Sequence, residues 1–150
     1  MNPPQSPTLS KQILFTSGEN GYHTYRIPAL ALASDGTLLA FCEGRIESPR
    51  DDAEIQIVLR RSVNNGATWE NMQVVASDAG HTVGNPCVLV DRDTGSVWLA
   101  FCKNNDSVYI TESSNNGINW SEPTEITQNV KRPDWIRYGS GPGHGIQTTS

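Results

Sequence analysis

Short apolar runs, separated by glycine, asparagine and aspartate, recur along this chain. Such runs bounded by turn formers mark β-strands. The pattern predicts strands at ILFTS (13–17), ALALA (29–33), TLLAFC (37–42), EIQIVLRRS (54–62) and NMQVVA (71–76). It predicts four more at PCVLVD (86–91), SVWLAFC (96–102), VYITESS (108–114) and PTEIT (123–127). No stretch of ordinary helical length carries a 3.6-residue period, so the chain reads as all-β.

The predicted strands repeat as a group. LAFC occurs at 39–42 and again at 99–102. Each copy follows a proline-led strand and an Asp/Gly turn, Pro28 then SDGTL and Pro86 then DTGSV. Each then leads into a Ser-x-Asn-x-Gly-x-x-Trp octad, SVNNGATW from Ser62 to Trp69 and SSNNGINW from Ser113 to Trp120. The octads start 51 residues apart (113 − 62). About four strands per ~50 residues is the spacing of β-propeller blades. One blade is expected from Pro28 to Ala76 and the next from Pro86 to Thr127, with GSGPGHGIQTTS (139–150) beginning a third. Propellers close with about 4–8 blades, so 150 residues are expected to be the front part of a longer chain. In the octads, Asn-Gly supplies residues tolerant of positive φ, the hydroxyl and amide bond the turn, and the tryptophan packs beneath it. These are folding devices on the rim, remote from any chemistry.

Composition narrows the picture. A net charge of −5 argues against a nucleic-acid partner, which calls for a basic surface. No apolar run is long enough for a transmembrane helix. Residues 1–11 read as a disordered lead without the charged start and apolar core of a signal peptide, with 12–150 as the propeller portion. The default location is therefore cytoplasmic, with extracellular or lysosomal alternatives left open if the N-terminus is incomplete. Cys42, Cys87 and Cys102 sit in apolar strands without CxxC spacing, so they read as buried free thiols and not as disulfide or metal sites.

YRIPAL (25–30), EGR (43–45) followed by Asp51 and IVLRRS (57–62), the two octads and GPGHGIQ (141–147) together resemble the exo-α-sialidases (neuraminidases) with Asp-box (BNR) repeats. The resemblance spans about residues 20–150. Asn64 and Asn115 stand where that family usually has aspartate; an amide makes the same acceptor contacts, so the fold is unaffected.

The resemblance implies a six-bladed propeller and the retaining hydrolysis of terminal α-linked sialic acid from glycoproteins, glycolipids (gangliosides) or oligosaccharides. Three arginines would bind the sugar carboxylate, for which a planar, permanently charged guanidinium is suited. By its motif, Arg26 matches the first. Arg45 matches a further substrate-facing arginine, and Glu43, two residues earlier on the same strand face, either holds an arginine or forms a solvated pair. Asp51, six residues after Arg45 and ten before Arg61, matches the acid/base, with Asp52 as fallback. Two adjacent carboxylates are expected to raise one pKa. Asn85 either contacts substrate or serves a turn. One of Arg60 and Arg61 is expected to be an outward surface charge, His81 and His144 to be structural or solvated, and Trp135, Arg137 and Tyr138 to shape the rim. Sialidases use a tyrosine nucleophile, which with its glutamate is expected in later blades, so the 150 residues alone are expected to be inactive. Neither metal nor cofactor is implied. The alternatives are a non-catalytic Asp-box propeller that binds glycans or a protein, and a trans-sialidase.

Overall fold

The computed structural model describes residues 9–149; residues 1–8 of the expected N-terminal lead lie outside the described residues. Strands β1 (Thr24–Leu32), β2 (Leu38–Arg45), β3 (Ile55–Ser62) and β4 (Gln73–Ala76) form one antiparallel meander in chain order. Strands β5 (Val83–Val90), β6 (Val97–Lys103), β7 (Ser107–Ser113) and β8 (Thr124–Glu125) form a second. A four-residue helix α1 (Thr127–Val130) follows, and β9 (Gly143–His144), from the segment expected to begin a third unit, pairs parallel with β5. Among the described residues no helix is long and apolar enough to cross a membrane.

Alternation along β2 and β3 sends Leu39, Phe41, Ile57 and Leu59, all at 0% exposure, toward the second sheet. There they meet Val88, Val97, Leu99 and Phe101. Burying each such side chain contributes about 1.5–3 kcal/mol, so the inter-sheet layer is the main apolar source of stability. The opposite face of the first sheet packs Cys42 and Val58 against Tyr22, Phe15 and Tyr25.

ILFTS (13–17) forms no strand. Phe15 covers the outer face of the first sheet, its ring 5.2 Å from that of Tyr25, while Ile13 is exposed. The apolar pattern is used for packing across a sheet face instead of ladder pairing. Phe15 also lies 5.9 Å from the guanidinium of Arg60, whose Nη1 donates to the Glu70 carbonyl. Neither arginine of the pair is thus a plain surface charge, since Arg61 is buried. Cys42, Cys87 and Cys102 are free, and burial pushes the Cys42 thiol up to about 12.

The prolines do not lead their strands. β1 begins at Thr24 and β5 at Val83, and Pro28 and Pro86 sit inside them at register shifts between Arg26 and Ala29 and between Gly84 and Cys87. Proline has no N–H for the ladder, and a bulge leaves a residue unpaired. The residue before each proline is left-handed: Ile27 at φ 53° and Asn85 at φ 58°. For β-branched Ile27 this is a genuine outlier.

Both octads close as the asparagines require. Asn115 Oδ1 accepts from Ser113 Oγ (3.0 Å) and the Asn119 N–H (2.9 Å), and Asn64 Oδ1 does the same with Ser62 and Thr68. The second octad is more than a rim device. Arg61 Nε donates to the Asn116 carbonyl (2.9 Å), Gln73 Nε2 to that of Gly117 (2.6 Å), and Trp120 meets Phe41 edge-on. Gly117, at φ 80°, is in the left-handed region that favours glycine and packs closely on Leu39 and Leu59. This octad staples the two sheets together.

Phe41→Ala removes the ring shared by both sheets and is expected to cost about 3–5 kcal/mol, read from urea unfolding. Asn115→Ala should cost about 1 kcal/mol, while Asn115→Asp, which keeps both acceptor bonds, should stay within about 0.5 kcal/mol of wild type.

Candidate active site

The two bulges lie at the same end of the sheets, beside a cavity of about 420 Å³. Its wall brings together Arg26, Glu43, Arg45, Asp51 and Asn85. Asp52 does not line it; its carboxylate takes two bonds from Arg50 Nε (2.8 Å) and Nη2 (2.7 Å) on the exposed loop.

Register and pleat explain the assembly. Glu43 and Arg45 are two apart on β2, hence on one face, and β1–β2 pairing sets Arg26 opposite Glu43. From there a chain of polar contacts runs from buried to exposed. The Asn85 N–H donates to Glu43 Oε1 (2.8 Å). Arg45 donates to Glu43 Oε2 through Nε (3.1 Å) and Nη2 (2.6 Å), and through Nη1 to the Pro49 carbonyl (2.5 Å). Arg45 Nη2 also reaches Asp51 Oδ1 (2.7 Å), which Arg26 Nη1 meets from the other side (3.0 Å). Side-chain exposure rises from 2% at Arg45 and 3% at Glu43 to 46% at Arg26 and 61% at Asp51. The Glu43–Arg45 pair is therefore buried, not solvated. A Cβ at Gly84 would collide with the Glu43 carboxylate, which explains a glycine there.

The arginines set the electrostatics. The hydrogen bond from Arg45 holds the Asp51 carboxyl below its ordinary value of 3.8, with the charges of Arg45, Arg26 and Arg137 acting in the same direction. Asp52 is lowered as well, first by its bond to Arg50. The expectation that adjacent carboxylates raise one pKa fails because each has its own guanidinium. Burial pulls the Arg45 guanidinium down, but its bonds to Glu43 and Asp51 outweigh that and its pKa is raised. Three arginines against two carboxylates make the cavity wall cationic in an acidic chain, which suits an anionic ligand.

Asn85 serves the bulge and also lines the cavity. Its Nδ2 bonds Asn105 Oδ1 (3.3 Å), and its carbonyl accepts from Ser140 Oγ (2.7 Å). Arg137 and Tyr138, expected at the rim, line the cavity, with the Tyr138 ring stacked 5.7 Å from Trp135. Asn105 escaped the sequence reading. It sits at φ 53° in the turn between β6 and β7, and its Nδ2 donates to the Asp51 carbonyl (3.1 Å). Its one sequence signal was the Asn-Asn pair of that turn. His81 and His144 are exposed and do not line the cavity. Among the described residues no group of three His, Cys, Asp or Glu side chains is placed to hold a metal ion.

Carbon-detected NMR titration should place the Asp51 midpoint below 3.8, and Arg26→Ala should move it part of the way back, since the Arg45 bond remains. Because the folded value is depressed, the stability Asp51 contributes is complete above its unfolded value and is lost as pH falls through the folded one. Glu43→Gln leaves the buried Arg45 with the exposed Asp51 carboxylate as its counter-charge and should cost about 1–3 kcal/mol, measured by urea unfolding at pH 7.

Residues 36–150 match the family described as BNR repeat-like domain. The chain is 37% identical to Sialidase-2 of Rattus norvegicus over 94% of its own length and 43% of the relative's. It is 31% identical to an exo-alpha-sialidase of Aspergillus fumigatus, over 87% of its own length and 40% of the relative's. Among solved structures, the Hadza microbial sialidase Hz136 superposes with a TM-score of 0.80 at 33% identity, covering 87% of this chain and 31% of that one. The chain thus spans less than half the length of each, and its two meanders are blades of a sialidase propeller. With the octads, the bulged Arg26 strand and these likenesses in agreement, the chain belongs to the BNR-repeat family of sialidases.

Proposed function

We propose that this chain supplies the acid/base and the first carboxylate-binding arginine of an exo-α-sialidase. The enzyme would release terminal α-linked sialic acid from glycoproteins, glycolipids or oligosaccharides with retention of configuration. The observation that carries this reading is the placement of Asp51 between Arg26 and Arg45 on an open, cationic cavity. Sialic acid bears a carboxylate on its anomeric carbon, so the group that recognises the sugar and the group that acts on its glycosidic bond must lie side by side. Arg26 has the exposure and charge to take that carboxylate bidentately. Asp51 is the neighbouring carboxyl group, on a loop that can approach the leaving oxygen, donate a proton and afterwards activate water. Glu43 and Arg45 position it.

A retaining route through tyrosine needs a phenol and a base on the far side of the sugar ring. Neither role falls to Tyr138, whose ring is stacked against Trp135 in the cavity wall. The nucleophile and its glutamate belong to residues outside these 150, and the chain by itself should not turn over.

The test is a chimera in which this chain replaces the matching segment of rat Sialidase-2. Hydrolysis of a sialyl-oligosaccharide should survive the exchange. Asp51→Ala within the chimera should lower kcat by about 10²–10⁴-fold, with a much smaller loss on an aryl sialoside whose leaving group needs no proton. Equal losses on both substrates, or no loss on either, would remove Asp51 from the acid role. A folded chimera that binds sialosides without hydrolysing them would favour a glycan-binding propeller.

A further inference from the structure

An acid catalyst must carry a proton when substrate arrives, yet Asp51 is held ionised by its two arginines. The geometry of the pair resolves this. The two guanidiniums on Asp51 are not equivalent. Arg45 is 2% exposed and locked by Glu43 and the Pro49 carbonyl. Arg26 is 46% exposed, and among the described residues Asp51 is the one side chain it bonds. Its backbone is fixed, with its carbonyl accepting from Cys42 Sγ (2.9 Å) next to the left-handed Ile27, so only the side chain is free to change partner.

We propose that a ligand carboxylate entering the cavity competes with Asp51 for the Arg26 guanidinium, so that binding the anion releases Asp51 from Arg26 and draws a solvent proton onto it. This rests on the reading of Arg26 as the carboxylate-binding residue and adds how the acid is loaded. Released, Asp51 has lost one counter-charge and gained a neighbouring anion, and both changes favour its protonated form. It does not drift away, because Asn105 Nδ2 holds its carbonyl and Thr82 Oγ1 bonds the Ala53 carbonyl (2.6 Å) from the second sheet. The charged groups that face it from the packed elements are Arg26 on β1, Glu43 and Arg45 on β2, and Arg137 from the segment before β9. Arg50 and Asp52 pair with each other on its own loop. Of these, Arg26 is the one whose capture by a small anion takes a bonded counter-charge off Asp51 without breaking a buried contact; Arg137, also exposed, acts on Asp51 through its charge alone. Proton uptake and anion binding are then reciprocal, as linkage requires.

The experiment uses the rat Sialidase-2 chimera, whose host segment completes the propeller, and a non-hydrolysable methyl α-thioglycoside of N-acetylneuraminic acid, with the methyl ester of the same thioglycoside as the uncharged probe. The Asp51 carboxyl carbon is titrated by NMR with and without each probe. The acid form of the probe should raise the Asp51 midpoint; the ester should not. In parallel, Asp51→Asn, which removes the competing anion, should bind the acid about two- to fivefold more tightly than wild type at pH 7. Its affinity should be flat with pH where that of wild type strengthens as pH falls. If the acid binds in an Arg26-dependent way but leaves the Asp51 midpoint unmoved, and Asp51→Asn binds no better, the competition is overturned and the carboxylate reading stands. If acid and ester bind alike, or neither binds, the carboxylate reading itself falls.

Discussion

The buried Glu43–Arg45 pair is the constraint on which the site depends. A charge pair with about 2–3% exposure is rarely a net source of stability, because the cost of taking both ions from water rivals their attraction. What this one does is fix geometry. Glu43 bonds the backbone of the second blade at Asn85, and Arg45 bonds Asp51 on the loop of the first. The distance between the blades, set by the apolar layer of Phe41, Leu59, Leu99 and Phe101, is thereby carried to the Asp51 carboxyl. A change in inter-blade packing would reach Asp51 through three hydrogen-bonded links, Asn85 to Glu43, Glu43 to Arg45 and Arg45 to Asp51.

The exposed part of the site is built on top of this buried part. Charge is arranged as a gradient, from a locked arginine at the bottom to a free one at the mouth, with a carboxylate shared between them. A low carboxyl pKa suits a base and not an acid. In the proposed acid/base role, Asp51 would gain from a counter-charge that the substrate itself can remove.

Much of this was legible along the chain because its causes are local. The octads name their own hydrogen bonds: Asn64 and Asn115 close their turns as an aspartate would. The clustering of Arg26, Arg45 and Asp51 followed from motif and strand parity. Other features have causes that no local pattern holds. ILFTS is a short apolar run like those of the strands, and such a run alone cannot tell a segment that pairs from one that only packs. Pro28 and Pro86 marked a strand start, whereas the chain continues through them at a bulge. Asn105 and Arg137 enter the cavity from turns, and turn residues are placed by tertiary contacts.

The two bulges show how one backbone device came to serve two purposes. At equivalent places in the blades stand Arg26-Ile27-Pro28 and Gly84-Asn85-Pro86, each with its middle residue left-handed. Asparagine tolerates that conformation, and isoleucine does so only at a cost. The surroundings must therefore compensate at Ile27, and the thiol bond to the Arg26 carbonyl is one such restraint. In the first blade the residue before the bend carries a guanidinium into the cavity. In the second the same position must be glycine, because the space is filled by the Glu43 carboxylate arriving from the first. The repeat is symmetric in backbone and complementary in side chains: where one blade extends a charge, the other is hollowed to receive its counterpart. A single blade copied without that divergence would put an arginine side chain at position 84, in the space that the Glu43 carboxylate fills.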